Sequence, residues 1–157
     1  MAVFFETVEN EIISTLKSGL QTLGYDIIGK KYFVEKLDNV SNKDVSELFN
    51  QRAISAQNGG IFVTTLGCKP NLQNKKTYID EWDFLILAFI KVGTQNKSTD
   101  LFKLLNDIDI TLYHHKFTNN QSAKRIDKRN AALPNKTNNS IYYGWVAISL
   151  QETFMPN

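Results

Sequence analysis

The stretch TYIDEWDFLILAFIKV, residues 77–92, decides the fold because it is the one long apolar run in the chain. Read with a period of two, its side chains alternate between two faces, and both faces are apolar from Phe84 to Ile90. The β-branched and aromatic content of the run favours a strand over a helix. A strand that is apolar on both faces is covered on both, so the run predicts the central strand of a sheet.

The length of this run predicts an irregularity within it. Roughly 15 extended residues would reach about 50 Å, which is longer than a typical strand. We therefore expect a bend, a bulge or a projecting arm near residues 80–83. The run is also too short and too charged to cross a membrane as a helix.

Composition limits the remaining possibilities. The chain has 157 residues, of which 42% are hydrophobic, and this is enough to fill the core of a single domain spanning residues 1–157. The net charge of +2 is too small to indicate a nucleic-acid partner by itself. The single cysteine, Cys68, excludes an internal disulfide and argues against a cysteine-based metal cluster. The N-terminus lacks the basic and apolar segments of a signal peptide, so we expect synthesis in the cytoplasm.

A helix is predicted over residues 3–23, where apolar residues recur at steps of three and four. The charged residues assigned to its polar side are Glu6, Glu9, Glu11 and Lys17. Gly24 follows the last periodic residue and can adopt the left-handed conformation that ends helices. Residues 25–37 then predict either one strand interrupted at Gly29 or a short strand followed by a second at residues 32–37.

The next segment predicts a short helix and a β-hairpin. Ser41 is a suitable N-cap for a helix over residues 41–52. The sequence Asn-Gly-Gly at residues 58–60 predicts a turn, and residues 61–66 predict a strand. A linker at residues 67–76 then joins this strand to the long apolar run, so we expect the two strands to pair as a hairpin.

The C-terminal half predicts a helix, a loop and a strand. Ser98 or Thr99 caps a helix whose buried stripe extends to Leu112. Residues 117–140 lack apolar periodicity and predict a polar, basic loop, whereas residues 141–154 alternate again and predict the last strand. Short polar turns between strands imply a mixed or antiparallel sheet with the helices packed mainly on one face. The predicted fold class is therefore α+β.

Catalytic chemistry finds little support in the sequence. Neither GxGxxG nor GxxxxGK[ST] is present, so no phosphate-binding loop is indicated. The two histidines, His114 and His115, are adjacent and lack the HExxH spacing of a metal site, so we interpret them as a solvated helix end. No GxSxG elbow surrounds a serine. We predict no enzymatic activity and no cofactor.

Three acidic residues, Asp80, Glu81 and Asp83, lie near the start of the long strand. Carboxylates beside a sheet could hold Mg²⁺ in a small nuclease, and such nucleases usually carry a lysine two residues after a second carboxylate. No lysine in this chain has Asp or Glu two positions before it. The nuclease therefore stays the weaker alternative, and a strand end that faces solvent or another subunit is favoured.

Residues 117–140 carry a concentrated positive charge. Their net charge is five minus one, or +4, from Asp127 and the five bases Lys124, Arg125, Lys128, Arg129 and Lys136. Such a segment can bind phosphate groups or an acidic protein surface, or it can be a solvated loop. No aromatic residue lies among the bases, which argues against binding of single-stranded nucleic acid by base stacking.

The order of elements resembles that of the tail-terminator proteins of long-tailed phages, particularly the Mu-like group. The resemblance lies in the segments VENEIISTLKSGL, IFVTTL, EWDFLILAFIKVG, DLFKLLNDIDITLYHH and GWVAISLQETF. It covers most of the chain and leaves out the linker around Cys68 and residues 117–140.

The resemblance implies a structural virion protein located in the tail and assembled in the host cytoplasm. Proteins of this class form a ring, usually a hexamer, that caps the tail tube, ends tail polymerisation and joins the tail to the head or neck. The implied partners are further copies of the chain, the tail-tube protein and a neck or connector protein. No membrane is implied, and nucleic acid passes only through the ring lumen. Another ring-forming tail or head-tail connector protein is the alternative.

The two charged segments suggest how such a ring would be held together. Head-to-tail association closes a ring when the rotation per subunit permits it. We predict that the acidic strand end faces the basic segment of the neighbouring copy and sets the register of the contact. The candidate interface residues are Asp80, Glu81, Asp83, Lys124, Arg125, Lys128 and Arg129.

Overall fold

The computed structural model describes residues 3–37, 58–70, 78–91, 98–129 and 141–154. In chain order the elements are α1 (Phe4–Thr22), β1 (Tyr32–Lys36), β2 (Gly59–Pro70), β3 (Tyr78–Lys91), α2 (Ser98–His114), β4 (Lys116–Phe117), a 3₁₀ turn (Thr118–Asn120), β5 (Gln121–Ser122), β6 (Lys124–Arg129) and β7 (Ile141–Phe154). The two helices pack on a five-stranded mixed sheet, and β4 and β5 form a small second sheet. The predicted α+β class is confirmed.

The five-stranded sheet has the order β1-β2-β3-β7-β6. β1 runs parallel to β2, and the other neighbouring pairs are antiparallel. β3 lies in the middle and pairs with β7 along its whole length. The predictions of a central strand and of its antiparallel pairing with the preceding strand are both confirmed.

One face of the sheet packs against both helices. Alternate residues of β3, from Phe84 to Ile90, point to this face and are buried. The helices contribute their predicted apolar stripes, which are Val8, Ile12, Leu16 and Leu20 of α1 and Leu101, Leu104, Leu105, Ile108 and Leu112 of α2. Within the described ranges no helix is long and apolar enough to span a bilayer.

The other face of the sheet holds an aromatic cluster. Phe62 and Phe89 are buried there, and the ring centroid of Phe33 lies 5.3 Å from that of Phe62 and 5.6 Å from that of Phe89. Gly60 lies directly under the Phe33 ring, where a side chain would collide with it. At this end of the sheet β3 is therefore buried on both faces, as its apolar run predicts.

Glu9 is buried, so its assignment to the polar side of α1 is wrong. Its exposed fraction is 3%. Lys36 of β1 places its Nζ 3.0 Å from one carboxylate oxygen, and the hydroxyl of Thr65 in β2 donates to the other at 2.7 Å. A buried charge with two polar partners therefore fixes α1 to the β1–β2 side of the sheet.

Tyr25 links the end of α1 to α2. Its hydroxyl donates to Asp107 Oδ2 at 2.6 Å, and Lys103 Nζ lies 3.3 Å from the same oxygen and 5.0 Å from the centre of the Tyr25 ring. Burial raises the pKa of Tyr25, and the hydrogen bond to Asp107 raises it further. Burial, followed by the charge of Asp100, also raises the pKa of Tyr32, whose ring packs edge-on against Tyr25.

We expect these tyrosines to make the protein less stable in alkali. The unfolded chain releases phenol protons near pH 10, whereas the folded protein retains them, because both pKa values are raised. The stabilisation is therefore complete below about pH 10 and is lost as the pH rises towards the folded-state pKa. Tyr25→Phe should flatten the fall of unfolding free energy with pH, as measured by urea denaturation.

Tyr113→Phe, at an exposed tyrosine, is the matched control for this experiment. An identical pH dependence of unfolding in Tyr25→Phe and the wild-type protein would contradict the effect assigned to the Tyr25 hydroxyl.

Several predicted boundaries in the first half of the chain are corrected. Of the two alternatives for residues 25–37, only the strand at Tyr32–Lys36 forms. Gly59 and Gly60 belong to β2 rather than to a turn, and β2 extends to Pro70, over the first four residues of the predicted linker. Residues 71–76 of the linker lie outside the described residues. The bulge lies in β2, between Thr65 and Gly67, opposite Phe84 and Asp83 of β3, while residues 80–83 keep a regular register with β7. Gly67 has a φ of 145°, which suits the backbone of such a bulge.

The prediction of a loop over residues 117–140 is wrong for its first half. Residues 117–129 include β5, the 3₁₀ turn and β6. β6 forms because β7 supplies its backbone partners, while charged side chains suit a strand at the edge of a sheet. The helix predicted at residues 41–52 and the rest of the loop, residues 130–140, lie outside the described residues. The single domain stays a prediction.

The sheet is longer than the helices that cover it. β3 and β7 have 14 residues each and α1 has 19. These lengths correspond to about 47 Å of strand and about 28 Å of helix. Phe5, at the start of α1, stacks on Trp82 with ring centroids 5.2 Å apart. The strand ends beyond Trp82, residues 69–70, 78–81 and 151–154, form a three-stranded projection that we call the arm.

Candidate protein interface

The three acidic candidates lie where β3 enters the arm, and they point to different faces. By strand alternation Asp80 shares the helix-facing side with Trp82, whereas Glu81 and Asp83 share the opposite side. Asp80 and Asp83 are therefore not brought together. In the described part of the chain, no group of three or more His, Cys, Asp or Glu side chains could hold a metal ion. The nuclease alternative gains no support from this geometry.

Glu81 and Asp83 have different surroundings. The hydroxyl of Ser149, a buried residue of β7, donates to Glu81 Oε1 at 3.1 Å. Asp83 lies opposite Ser149 in the β3–β7 register, yet its buried Oδ1 accepts no hydrogen bond from any described residue. The carboxylate of Glu81 thus already accepts a hydrogen bond within the chain. An unmet buried acceptor such as Asp83 Oδ1 costs about 1–3 kcal/mol.

Two of the basic candidates tie β6 to α2 within the same chain. Arg125 Nη1 lies 2.6 Å from Asp109 Oδ2, and Lys128 Nζ lies 3.2 Å from the same oxygen. Lys128 also donates to Asn106 Oδ1 at 2.6 Å. The structure therefore gives Arg125 and Lys128 an intrachain role that the interface hypothesis did not foresee.

Side chains on both faces of β6 fix it in the sheet. On the face away from the helices, the indole Nε1 of Trp145 donates to Asp127 Oδ2 at 3.0 Å. On the helix-facing side, Arg125 and Lys128 reach α2. A charged segment without apolar periodicity thereby becomes an ordered edge strand. Its outward backbone groups have no strand partner among the described residues.

The side chain of Gln121 binds the backbone of β7 at the same edge of the sheet, next to β6. Its Nε2 donates to the carbonyl oxygen of Gln151 at 2.7 Å, and its Oε1 accepts from the Gln151 backbone N–H at 2.8 Å. One side-chain amide therefore takes the place of a strand at this point of β7. The arm begins beyond this side-chain cap.

Lys124, Asp80 and Asp83 are the candidates that remain without a partner. Lys124 is exposed, and none of the three side chains forms a hydrogen bond or ion pair within the described part of the chain. Arg129 pairs in register with Trp145 through β6, and its side chain is outside the description. Of the seven predicted interface residues, these three therefore keep charges that are not paired inside the chain.

A groove separates α2 from β6. Its volume is about 490 Å³, and its lining includes Ile110, Tyr113, Ala123, Lys124 and the ion pair of Arg125 with Asp109. Ile110 is 54% exposed and Tyr113 is 70% exposed. Apolar side chains beside Lys124, a lysine without a partner among the described residues, are typical of a surface that receives another protein.

Sequence reasoning missed Ile110 and Tyr113 as surface residues. Both lie outside the buried stripe of α2, so large apolar residues on its polar side were the available signal. This signal does not say which neighbouring element borders them. That element is β6, a segment for which the sequence predicts a loop.

The adjacent histidines do not act as a pair. His114 ends α2 and is exposed, as predicted for a solvated helix end. His115 Nε2 lies 2.9 Å from Glu11 Oε1, and the hydroxyl of Thr118 donates to Glu11 Oε2 at 2.9 Å. His115 therefore has an intrachain role, which is to join α1 to the segment that leads into β6.

Comparisons with known proteins leave the family open. No protein-family model matches the chain, and no curated protein matches its sequence.

Proposed function

We propose that this protein is a structural ring subunit of the tail-terminator type, which caps the tail tube of a long-tailed phage. The observation that carries the proposal is the presence of two different surfaces of opposite charge. The arm holds three carboxylates against one lysine, a net charge of −2, from Asp80, Glu81, Glu152 and Lys69. Residues 116–129 hold five bases against one carboxylate, a net charge of +4, which becomes +3 when Asp109, the shared partner of Arg125 and Lys128, is included.

Two unlike surfaces favour a ring over a symmetric dimer. Two complementary patches that face the same way can pair reciprocally in a two-fold dimer, whereas patches that face different ways give a head-to-tail contact. Asp80 lies on the helix-facing side of the sheet, and Lys124 pairs with Ser149, which lies on the opposite side. Head-to-tail contacts add one copy after another, and they form a closed ring when the rotation per subunit permits it. Opposite charges also raise the rate of association and select the correct register.

The proposed ring is a hexamer that ends tail polymerisation and joins the tail to the head or neck. Its partners are further copies of this chain, the tail-tube protein and a neck or connector protein. It acts in the virion tail after assembly in the host cytoplasm, it catalyses no reaction, and nucleic acid passes only through its lumen. The resemblance in element order supports this choice among ring-forming proteins.

The mass of the purified protein tests the proposal. Light scattering behind a sizing column, over a range of concentrations, should give a discrete species of six times the 17.9 kDa chain. High salt should lower the fraction of this species, because the contact surfaces are charged. Electron microscopy of the rings mixed with purified tail tubes should place one ring at the tube end.

Other outcomes of the same experiment separate the alternatives. Filaments of the purified protein would indicate a tube subunit, and rings that bind a portal but not a tube would indicate a head-tail connector. A monomer at every concentration that also fails to bind tubes would contradict a ring-forming role.

A further inference from the structure

Lys124 and Asp80 do not meet within one chain. Lys124 pairs with Ser149 of β7, and Ser149 pairs with Asp83 of β3, three residues from Asp80. Two strand spacings and three residues of rise separate the two backbones by about 14 Å. Asp80 also belongs to the helix-facing side of its strand, whereas Ser149 and Asp83 belong to the opposite side. A contact between the two charges therefore requires two copies of the chain.

Apolar surface accompanies each of these charges. The groove beside Lys124 exposes Ile110 and Tyr113. The arm beside Asp80 exposes Tyr78, whose exposed fraction is 48%. Alternation places Tyr78 on the same face as Asp80, two residues away. The groove, at about 490 Å³, is within the size range of sites that enclose small ligands, so an aromatic side chain fits it.

We propose that the groove between α2 and β6 receives the arm of a second copy, with Tyr78 in the groove and Asp80 facing Lys124. This inference rests on the proposed ring and specifies its contact. Charge complementarity selects the occupant, because the arm is acidic and Lys124 at the rim of the groove has no partner among the described residues. The aromatic ring supplies apolar burial at the centre of the contact, and the ion pair sets its register.

Cross-linking tests this contact directly. In a Cys68→Ser background, which removes the single native thiol, Lys124→Cys and Asp80→Cys proteins are mixed and treated with a short bis-maleimide. We expect covalent dimers in the mixture and none with either variant alone. The control replaces Lys124→Cys with Lys17→Cys, at an exposed position of α1, and should give no dimer. Equal cross-linking in the control, or none in the test mixture, overturns the proposed contact.

A charge exchange gives an independent readout. Lys124→Asp and Asp80→Lys should each weaken ring formation about tenfold, because each places like charges opposite one another. The protein that carries both changes should recover wild-type association within about twofold, since the pair is restored across the contact. Failure of the double variant to recover overturns the pairing.

The two proposals fail in different ways. Rings of the expected mass without cross-links or rescue would overturn the arm-in-groove contact and leave the ring intact. Absence of any oligomer and of any cross-link, both with and without tubes, would overturn both. Binding of the groove to the tail-tube protein in preference to a second copy would leave the mixture without covalent dimers even when tubes are added, and this also overturns the contact proposed here.

Discussion

In the Lys36→Met variant we expect the free energy of unfolding to fall by about 3 kcal/mol. Lys36 is the cation that lies 3.0 Å from Glu9, and Glu9 is 3% exposed. Without the lysine, the hydroxyl of Thr65 is the one partner left to the carboxylate among the described residues, and water cannot compensate a charge that is buried. Urea unfolding followed by tryptophan fluorescence measures the loss.

The charge on Glu9 can be removed to test this explanation. In a Glu9→Gln, Lys36→Met double variant we expect most of the stability to return, because the amide carries no charge and still accepts from Thr65. Lys17→Met, on the exposed side of α1, is the control for loss of a lysine. A loss below about 1 kcal/mol in the single variant would show that the pair behaves like a surface salt bridge.

In the Gly59→Ala variant we expect a loss of about 2 to 3 kcal/mol of stability. A Cβ at Gly59 would lie 2.5 Å from the backbone oxygen of Phe89, which belongs to the neighbouring strand. Because backbone cannot rotate away as a side chain does, β2 and β3 must separate locally and weaken their hydrogen bonds. Thermal and urea unfolding both report the change.

Gly60→Ala offers a matched comparison, because its Cβ would meet the ring of Phe33 rather than backbone. We expect Phe33→Leu to reduce the cost of Gly60→Ala, since a smaller side chain can make way, and to leave the cost of Gly59→Ala unchanged. Equal effects of Phe33→Leu on both glycine variants would contradict this assignment of the two clashes.

Local periodicity determined a large part of this fold. The apolar stripes of α1 and α2 and the alternation of β7 each lie within one continuous segment, so the sequence predicts these elements without knowledge of their neighbours. The same holds for β3, whose two apolar faces mark a central strand before any partner is known. The α+β class follows from the order of these segments.

Features that depend on contacts between residues far apart in the sequence were decided by the tertiary structure alone. β6 is a strand because its backbone hydrogen-bonds to β7 and because Asp109 of α2 pairs with its basic side chains. The composition of β6 shows neither of these contacts. Glu9 is buried because Lys36 and Thr65 meet it from two strands, which a helical pattern cannot show. Because Arg125, Lys128 and Glu81 have partners inside the chain, the candidate interface narrows to Lys124, Asp80, Asp83 and the groove between α2 and β6. The sequence thus determined which segments form elements and where charge concentrates, because both are local properties. Packing decides which charges remain available to a partner, because it determines which charges are already paired within the chain.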